Sequence, residues 1–295
     1  MDLGIHLEPP LETLLITGGS GLLGRSLVRR AEQRARVVAT THREPLPNLE
    51  THPFDLALDD PAPLLDRLRP HVVIHAAAVN PGQGSDAQMV EVNHLGTERL
   101  AAAAARSGCR RLVVVSTDVV HDGTAGPYSD DAPATASSAY GRSKAEGESS
   151  ALTQFPGALA VRTSLIYGLE TPDRGTASFV RRLDAGEEVH LFRDVLRQPI
   201  WVETLAHCLV SLALDSTIAG TLNVAGEQVL SREEFGRKML GYWGSDPGSP
   251  RIVAVDARRV APGVPRDLRL DLDRVRLHLA HPLPGVDEVL SAKSS

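Results

Sequence analysis

The amino-acid sequence predicts an α/β protein built on a doubly wound parallel sheet, with a smaller, discontinuous α/β lobe. Three observations carry that expectation. Continuous apolar, β-rich runs alternate with helix-period segments through the first half, a glycine-rich turn joins the first run to the first helical segment, and the regularity ends near Gly168. Strands that are apolar on both faces need helices on both sides, which is the parallel arrangement.

Leu14–Thr17, Val37–Thr40, Val72–His75, Leu112–Ser116 and Leu159–Ser164 read as buried strands. Between them Leu22–Arg34, Ala62–Arg69, Ala87–Arg106 and Ala139–Gln154 space their apolar residues by three and four, as helices do. Asp60 and either Ser85 or Asp86 stand as N-caps, and Gly108 as the residue just past a helix end. Beyond Gly168, Thr171, Pro172 and Gly175 indicate a loop before a helix at Ala177–Asp184. Val202–Leu214 and a strand at Thr221–Ala225 return to the first domain. Ser231 with Glu234 forms a capping box that opens a helix toward Tyr242, followed by the Gly- and Pro-rich Gly244–Pro250. The expected division is 1–168 plus about 195–225 for the sheet domain, and about 169–194 with 226–295 for the lobe.

With 295 residues, 42% hydrophobic and 23% charged, the composition is globular and excludes disorder and fibrous repeats. A net charge of -6 gives no basic field for nucleic acid or an anionic membrane. Met1–Glu12 carries acids and Pro9-Pro10 in place of a basic, then apolar, leader, so a short lead-in is expected and not a signal peptide. No run approaches the roughly 18 apolar residues of a bilayer span. Cys109 and Cys208 stand far apart, without CxxC or Cys/His spacing, which points to the cytoplasm and against a metal site.

Thr17-Gly18-Gly19-Ser20-Gly21-Leu22-Leu23-Gly24 follows the first strand directly. A dinucleotide-binding turn needs one glycine to turn tightly, one to admit a pyrophosphate to backbone amides, and one to let helix and strand pack closely. Gly18, Gly21 and Gly24 have that spacing, and Ser20, Leu22 and Leu23 bring their backbone to the positive helix N-terminus. A purely structural turn is the alternative, but strand before and helix after favour the NAD(P)-binding Rossmann domain. The second strand ends in Thr40-Thr41-His42-Arg43 with no acid before Glu44. An acid there would hold a ribose hydroxyl and mark NAD. Arg43 instead offers a fork to a 2′-phosphate, so NADP (NADPH) is favoured over NAD, against the alternative of a solvated arginine. Asp55, with Leu56, is placed to meet the adenine or to cap a helix.

Tyr140 and Lys144 share a helix face. A phenol with a pKa of about 10 is a poor acid at neutral pH, and a nearby ammonium lowers it into a tuned proton donor. With only four tyrosines and three lysines in the chain, a chance Tyr-xxx-Lys arises about 4% of the time. Upstream, Ser116-Thr117-Asp118 ends a parallel strand where open α/β sheets bind ligands, so Thr117 can hold a carbonyl oxygen while Tyr140 protonates it. A capping turn is the alternative for that strand end.

Together, these residues resemble the extended short-chain dehydrogenase/reductase superfamily, and within it the dTDP-4-dehydrorhamnose reductase family. The resemblance is carried by Thr17–Gly24, His75–Ala78, Val92-Asn93, Ser116–Asp118, Asp122-Gly123, Pro127-Tyr128, Tyr140–Glu148 and Arg162–Gly168. It continues more loosely through Arg197–Ala206 and Leu270–Asp273. It implies a Thr117, Tyr140 and Lys144 triad, with Lys144 also at the nicotinamide ribose, Ala76, Ala77 and Ala78 lining the cofactor, and Asn93 supporting the site. His75, by contrast, reads as a satisfied core histidine. Related 4,6-dehydratases place a glutamate after Thr-Asp; Val119 stands here, which disfavours elimination. The reductases carry aromatics where this chain has Val119, His121 and Leu165, so Thr117, Asp118, Val119 and Leu165 are expected at a substrate pocket of altered shape.

The first function expected from the resemblance is NADPH-dependent reduction of a nucleotide-activated 4-keto-6-deoxy sugar, with Tyr140 as proton donor. An NAD-dependent sugar-nucleotide epimerase and a regulatory subunit resembling the NADP-binding β-subunit of methionine adenosyltransferase are the alternatives. A homodimer through Ala87–Arg106 and Ala139–Gln154 is possible on this scaffold.

Overall fold

The computed structural model describes residues 11–42 and 45–294. Its first part follows the predicted alternation: β1 (Thr13–Thr17), α1 (Leu22–Ala31), β2 (Arg36–Thr41), β3 (Glu50–Pro53), α2 (Pro61–Leu68), β4 (Val72–His75), α3 (Asp86–Met89), α4 (Thr97–Arg106), β5 (Arg111–Thr117), α5 (Ala139–Gln154) and β6 (Leu159–Thr163). Then come β7 (Ile166–Tyr167), α6 (Arg174–Asp184), β8 (Val189–Phe192), β9 (Leu196–Arg197), β10 (Ile200–Trp201), α7 (Val202–Leu214), β11 (Gly220–Asn223), β12 (Leu230–Ser231) and α8 (Arg232–Tyr242). β13 (Ile252–Val255), α9 (Ala257–Val260), α10 (Asp273–His278) and α11 (Val286–Ser294) close the chain.

One seven-stranded sheet has the order β11-β6-β5-β4-β1-β2-β3, and every pairing in it is parallel. Strand order reverses between β1 and β4, the topological switch point where such sheets bind ligands. In β1 the side chains alternate between faces. Leu14 and Ile16 join a core with Leu27 of α1 and Leu205 and Leu209 of α7, whereas Leu15 joins Leu65 of α2, Leu100 of α4 and Ala151 of α5. The sheet is therefore covered on both sides, as the continuous apolar strands require.

Several elements differ from expectation for local reasons. β3 is Glu50-Thr51-His52-Pro53, an exposed edge strand with no apolar pattern to reveal it. The helix expected over Ala87–Arg106 is interrupted by π-helical turns at Val90–Gly96, where a Cβ on Gly96 would lie 2.9 Å from the Leu56 carbonyl. α6 starts earlier than its sequence suggests because Asp173 caps it, drawing Gly175 into the first turn. Leu268, Leu270, Leu272 and Leu283 pack into the sheet's core although sequence assigns them to the lobe. The lobe has its own small cores, Tyr167 with Phe235 and Met239, and Val189 with Leu240 and Ile252. Among the described residues no helix is long and apolar enough to cross a membrane.

Candidate active site

Because the sheet strands are parallel, Gly18 after β1, Ala76 after β4 and Thr117 at the end of β5 share its carboxyl edge. Gly18 has φ +72°, a left-handed conformation, and a Cβ there would lie 2.8 Å from the Ala77 backbone. A Cβ on Gly24 would strike the Gly18 carbonyl and lie 2.8 Å from the Gly19 backbone. The glycines thus bring the start of α1, the first turn and the Ala76–Ala78 segment together. α1 opens on Gly21 with no side-chain cap, so its first amides, from Leu22 to Gly24, have no intrahelical partner. Such a backbone-lined cradle fits a dinucleotide pyrophosphate.

Thr41 ends β2 and its carbonyl accepts the Phe54 amide at 2.9 Å. Arg43 lies outside the described residues. Asp55 Oδ1 accepts the Ala57 amide at 2.9 Å, so the carboxylate closes the turn after β3, and its Oδ2 is 3.8 Å from His42 Nδ1. Leu56 is buried and its carbonyl accepts Arg99 at 2.6 Å.

Behind the cradle, His75 bridges Thr17 Oγ1 at 2.7 Å and Thr97 Oγ1 at 2.9 Å. Thr97 donates to the Asn93 carbonyl, so it accepts from His75 Nε2–H, and Nδ1 accepts from Thr17. Burial, with the nearby Lys144 ammonium, holds the imidazole down to about 3, neutral at any physiological pH. Asn93 sits in the π-helical turn. Its Oδ1 accepts the Val79 amide at 2.8 Å, and its Nδ2 donates to the Val79 carbonyl at 2.9 Å and to Ser143 at 3.1 Å. The Asn93 side chain thus ties the segment after β4 to α5.

α5 reaches the end of β5 because it carries glycine at two contacts. A Cβ on Gly141 would collide with the Val119 carbonyl, and one on Gly147 with the Asn93 carbonyl. Ser138 caps the helix through the Gly141 amide at 3.0 Å, one residue from Tyr140. Tyr140 is half-buried beside Thr117. Burial raises its phenol to about 12 and Asp118 pushes the same way, while Arg197 and a hydrogen bond with Thr117 oppose them. Lys144, also on α5, donates to the Val115 carbonyl at 2.7 Å, and burial lowers its ammonium to about 8 against the pull of Glu148. The expected lowering of the phenol by Lys144 is therefore absent, since the amine is turned onto the backbone of β5.

Asp118, expected at the substrate, is fully buried. Its oxygens accept Arg197 Nη2 at 2.6 Å, Arg197 Nε at 2.8 Å and Ser164 at 2.6 Å, so no acceptor faces a ligand. The residue is a strut that fixes Thr117 and β9. His121 is likewise buried, stacked on Tyr128 at 4.0 Å, instead of lining a sugar pocket. Val119 stays half-exposed at the end of β5. Leu165 lines a small cleft of about 50 Å³ with Asp173, Thr176, Phe179, Arg232 and Phe235.

The family described as RmlD substrate binding domain matches residues 12–290. The chain belongs to that family. It is 35% identical to the dTDP-4-dehydrorhamnose reductase of Mycobacterium tuberculosis (strain CDC 1551 / Oshkosh), over 82% of this chain and 79% of the relative. A probable dTDP-4,6-dihydroxy-2-methyloxan-3-one 4-ketoreductase of Streptomyces antibioticus is 32% identical, covering 84% of each chain. The fold matches the dTDP-4-dehydrorhamnose reductase of Bacillus anthracis, solved in complex with NADP, with TM-score 0.77 at 23% identity, over 96% of this chain and 98% of that one. MoeE5, solved with UDP-glucose and NAD, matches with TM-score 0.79 at 26% identity, over 95% and 96% of the two chains.

Within this RmlD-family site, sequence reasoning did not single out Arg197, Ser164 or the buried Glu148–Arg162 pair at 3.0 Å. Glu148 is four residues beyond Lys144 on α5, and that spacing was a usable signal. Arg197 comes from a two-residue strand remote in sequence from Asp118, and nothing local marks the pairing.

Proposed function

We propose that the protein is an NADPH-dependent reductase of a nucleotide-activated 4-keto-6-deoxy sugar. The observation that carries this reading is Tyr140 beside Thr117 on the sheet edge where the glycine cradle opens. Gly18, Ser20, Gly21, Leu22, Leu23 and Gly24 would hold the pyrophosphate of the dinucleotide, with Ala76–Ala78 alongside and Asp55 and Leu56 toward the adenine. NADPH is favoured because β2 ends in Thr40-Thr41, followed by His42, without an acid, and NAD remains the alternative cofactor. When bound, the nicotinamide supplies the hydride.

Thr117 orients the carbonyl oxygen through its hydroxyl. Tyr140, fully protonated at neutral pH with its phenol near 12, delivers the proton to that oxygen and is left as a phenolate. Lys144 braces β5 through the Val115 carbonyl and would reach the nicotinamide ribose. The sugar-nucleotide would enter between the sheet domain and the lobe, the sugar toward Thr117, Tyr140, Val119 and Leu165. Leu165 and Val119 leave room where bulkier aromatics would narrow the pocket, which favours a deoxysugar other than the rhamnose precursor.

Purified protein is expected to oxidise NADPH when supplied with at least one member of a panel of dTDP- and UDP-linked 4-keto-6-deoxy sugars. No turnover across the panel, combined with NAD co-purifying at one per chain, would replace this reading with the epimerase. Stoichiometric capture of a synthetase with no turnover would replace it with the regulatory subunit.

A further inference from the structure

We propose that Arg232, the first residue of α8, anchors the diphosphate of the nucleotide-sugar substrate; this rests on the reading of the chain as a sugar-nucleotide reductase. Arg232 lines the cleft that Leu165 opens, and its guanidinium makes no hydrogen bond or ion pair with any described residue. A half-buried guanidinium left unpaired is costly, and the two carboxylates nearest in charge cannot serve it. Asp118 is engaged by Arg197 and Ser164. Asp173 faces the same cleft, but its oxygens accept the Thr176 amide at 3.0 Å and the Thr176 hydroxyl at 2.5 Å.

The surroundings favour an anion for further reasons. Burial lowers the Arg232 guanidinium to about 10 and the Arg197 charge pushes the same way, against the pull of Asp173 and Asp118. Phe179 and Phe235 add apolar lining to the cleft beside its charged group, the mix found in ligand pockets.

The position also fits the chemistry. Tyr140 and Arg232 each feel the charges of the buried Asp118–Arg197 pair, so both lie in the neighbourhood of one ion pair. A diphosphate held by Arg232 places its sugar on the Tyr140 side and its base toward Phe179 and Phe235. A planar guanidinium suits this task because it meets phosphate oxygens in a bidentate fork.

The test is calorimetric titration of wild type, Arg232→Gln and Arg232→Lys with dTDP, UDP, thymidine and inorganic pyrophosphate, with NADPH binding as the control for a folded sheet domain. Arg232→Gln is expected to bind the preferred nucleoside diphosphate about 10- to 100-fold more weakly, the loss of one charge-assisted contact, with thymidine and NADPH unchanged. Arg232→Lys should recover part of that loss, and in turnover the defect should fall on KM more than on kcat. Undiminished diphosphate binding by Arg232→Gln, or equal loss of thymidine and dTDP, overturns the proposal. Wild type that binds neither nucleoside diphosphate nor pyrophosphate overturns it too. Arg232-dependent binding of pyrophosphate with no preference for any nucleoside keeps the anion site and overturns the sugar-nucleotide reading instead.

Discussion

Tyr140→Phe is expected to lower kcat for ketosugar reduction by about 10²- to 10⁴-fold, the usual share of a positioned acid, with little change in the Kd for NADPH. The substitution removes one oxygen and leaves the ring. That oxygen contacts Thr117 and lies within the influence of Asp118 and Arg197, but it closes no core hydrogen bond on which α5 depends. The cap at Ser138 and the close approaches at Gly141 and Gly147 hold the helix without it. Thermal unfolding of the variant should therefore stay near wild type, and single-turnover absorbance at the nicotinamide band should show the loss in the chemical step. A variant that retained most of its rate would remove Tyr140 from the proton transfer.

Arg197→Gln is expected to destabilise the fold by about 3–5 kcal/mol at neutral pH, because it strands a fully buried carboxylate. Asp118 is held above the ordinary aspartate range by burial, and Arg197 is the first influence pulling it back. Without Arg197 the folded-state pKa rises further. For an acid so raised, the folded state binds the proton more tightly than the unfolded chain. Stability is then greatest below the unfolded value and falls as pH rises through the window up to the folded one. The gap to wild type should therefore be widest at neutral pH and narrow toward about pH 4, where Asp118 can be neutral. Urea denaturation at several pH values measures it. The double variant Asp118→Asn, Arg197→Gln should regain much of the loss at neutral pH, since no charge is left buried. A pH-independent deficit, unrelieved by Asp118→Asn, would mean that Arg197 acts only by packing.

The parts of the site legible in sequence are those written in local spacing. Gly18, Gly21 and Gly24 fall within one strand-turn-helix unit, and Tyr140 and Lys144 within one helical turn, so a single period places each set. The parallel, two-sided sheet follows from buried strands alternating with helices. Long-range polar pairing has no period. Asp118 with Arg197, Glu148 with Arg162, and His75 between Thr17 and Thr97 are made only when distant elements meet. The same limit applies to Asp118, expected at the substrate, whose carboxylate is taken up inside the fold by Arg197 and Ser164. β3 escaped for the opposite reason: it is an exposed edge strand whose backbone pairs with β2 without an apolar side to announce it.

The resemblance at Leu165 and the structure agree on a consequence. Leu165, where the resemblance leads one to expect an aromatic, lines the cleft together with Arg232 and Phe235. Under the proposed function, substrate choice would be set at that cleft and the reaction at the edge of the sheet.

The most direct measurement of the central claim is isotope transfer from NADPH deuterated at nicotinamide C4, incubated with wild-type protein and the 4-keto-6-deoxy sugar nucleotide that it turns over. Reduction predicts one deuterium on the former carbonyl carbon of the product for each NADPH oxidised, read by mass spectrometry and NMR. Return of an epimerised sugar without deuterium and without net NADPH oxidation would contradict it.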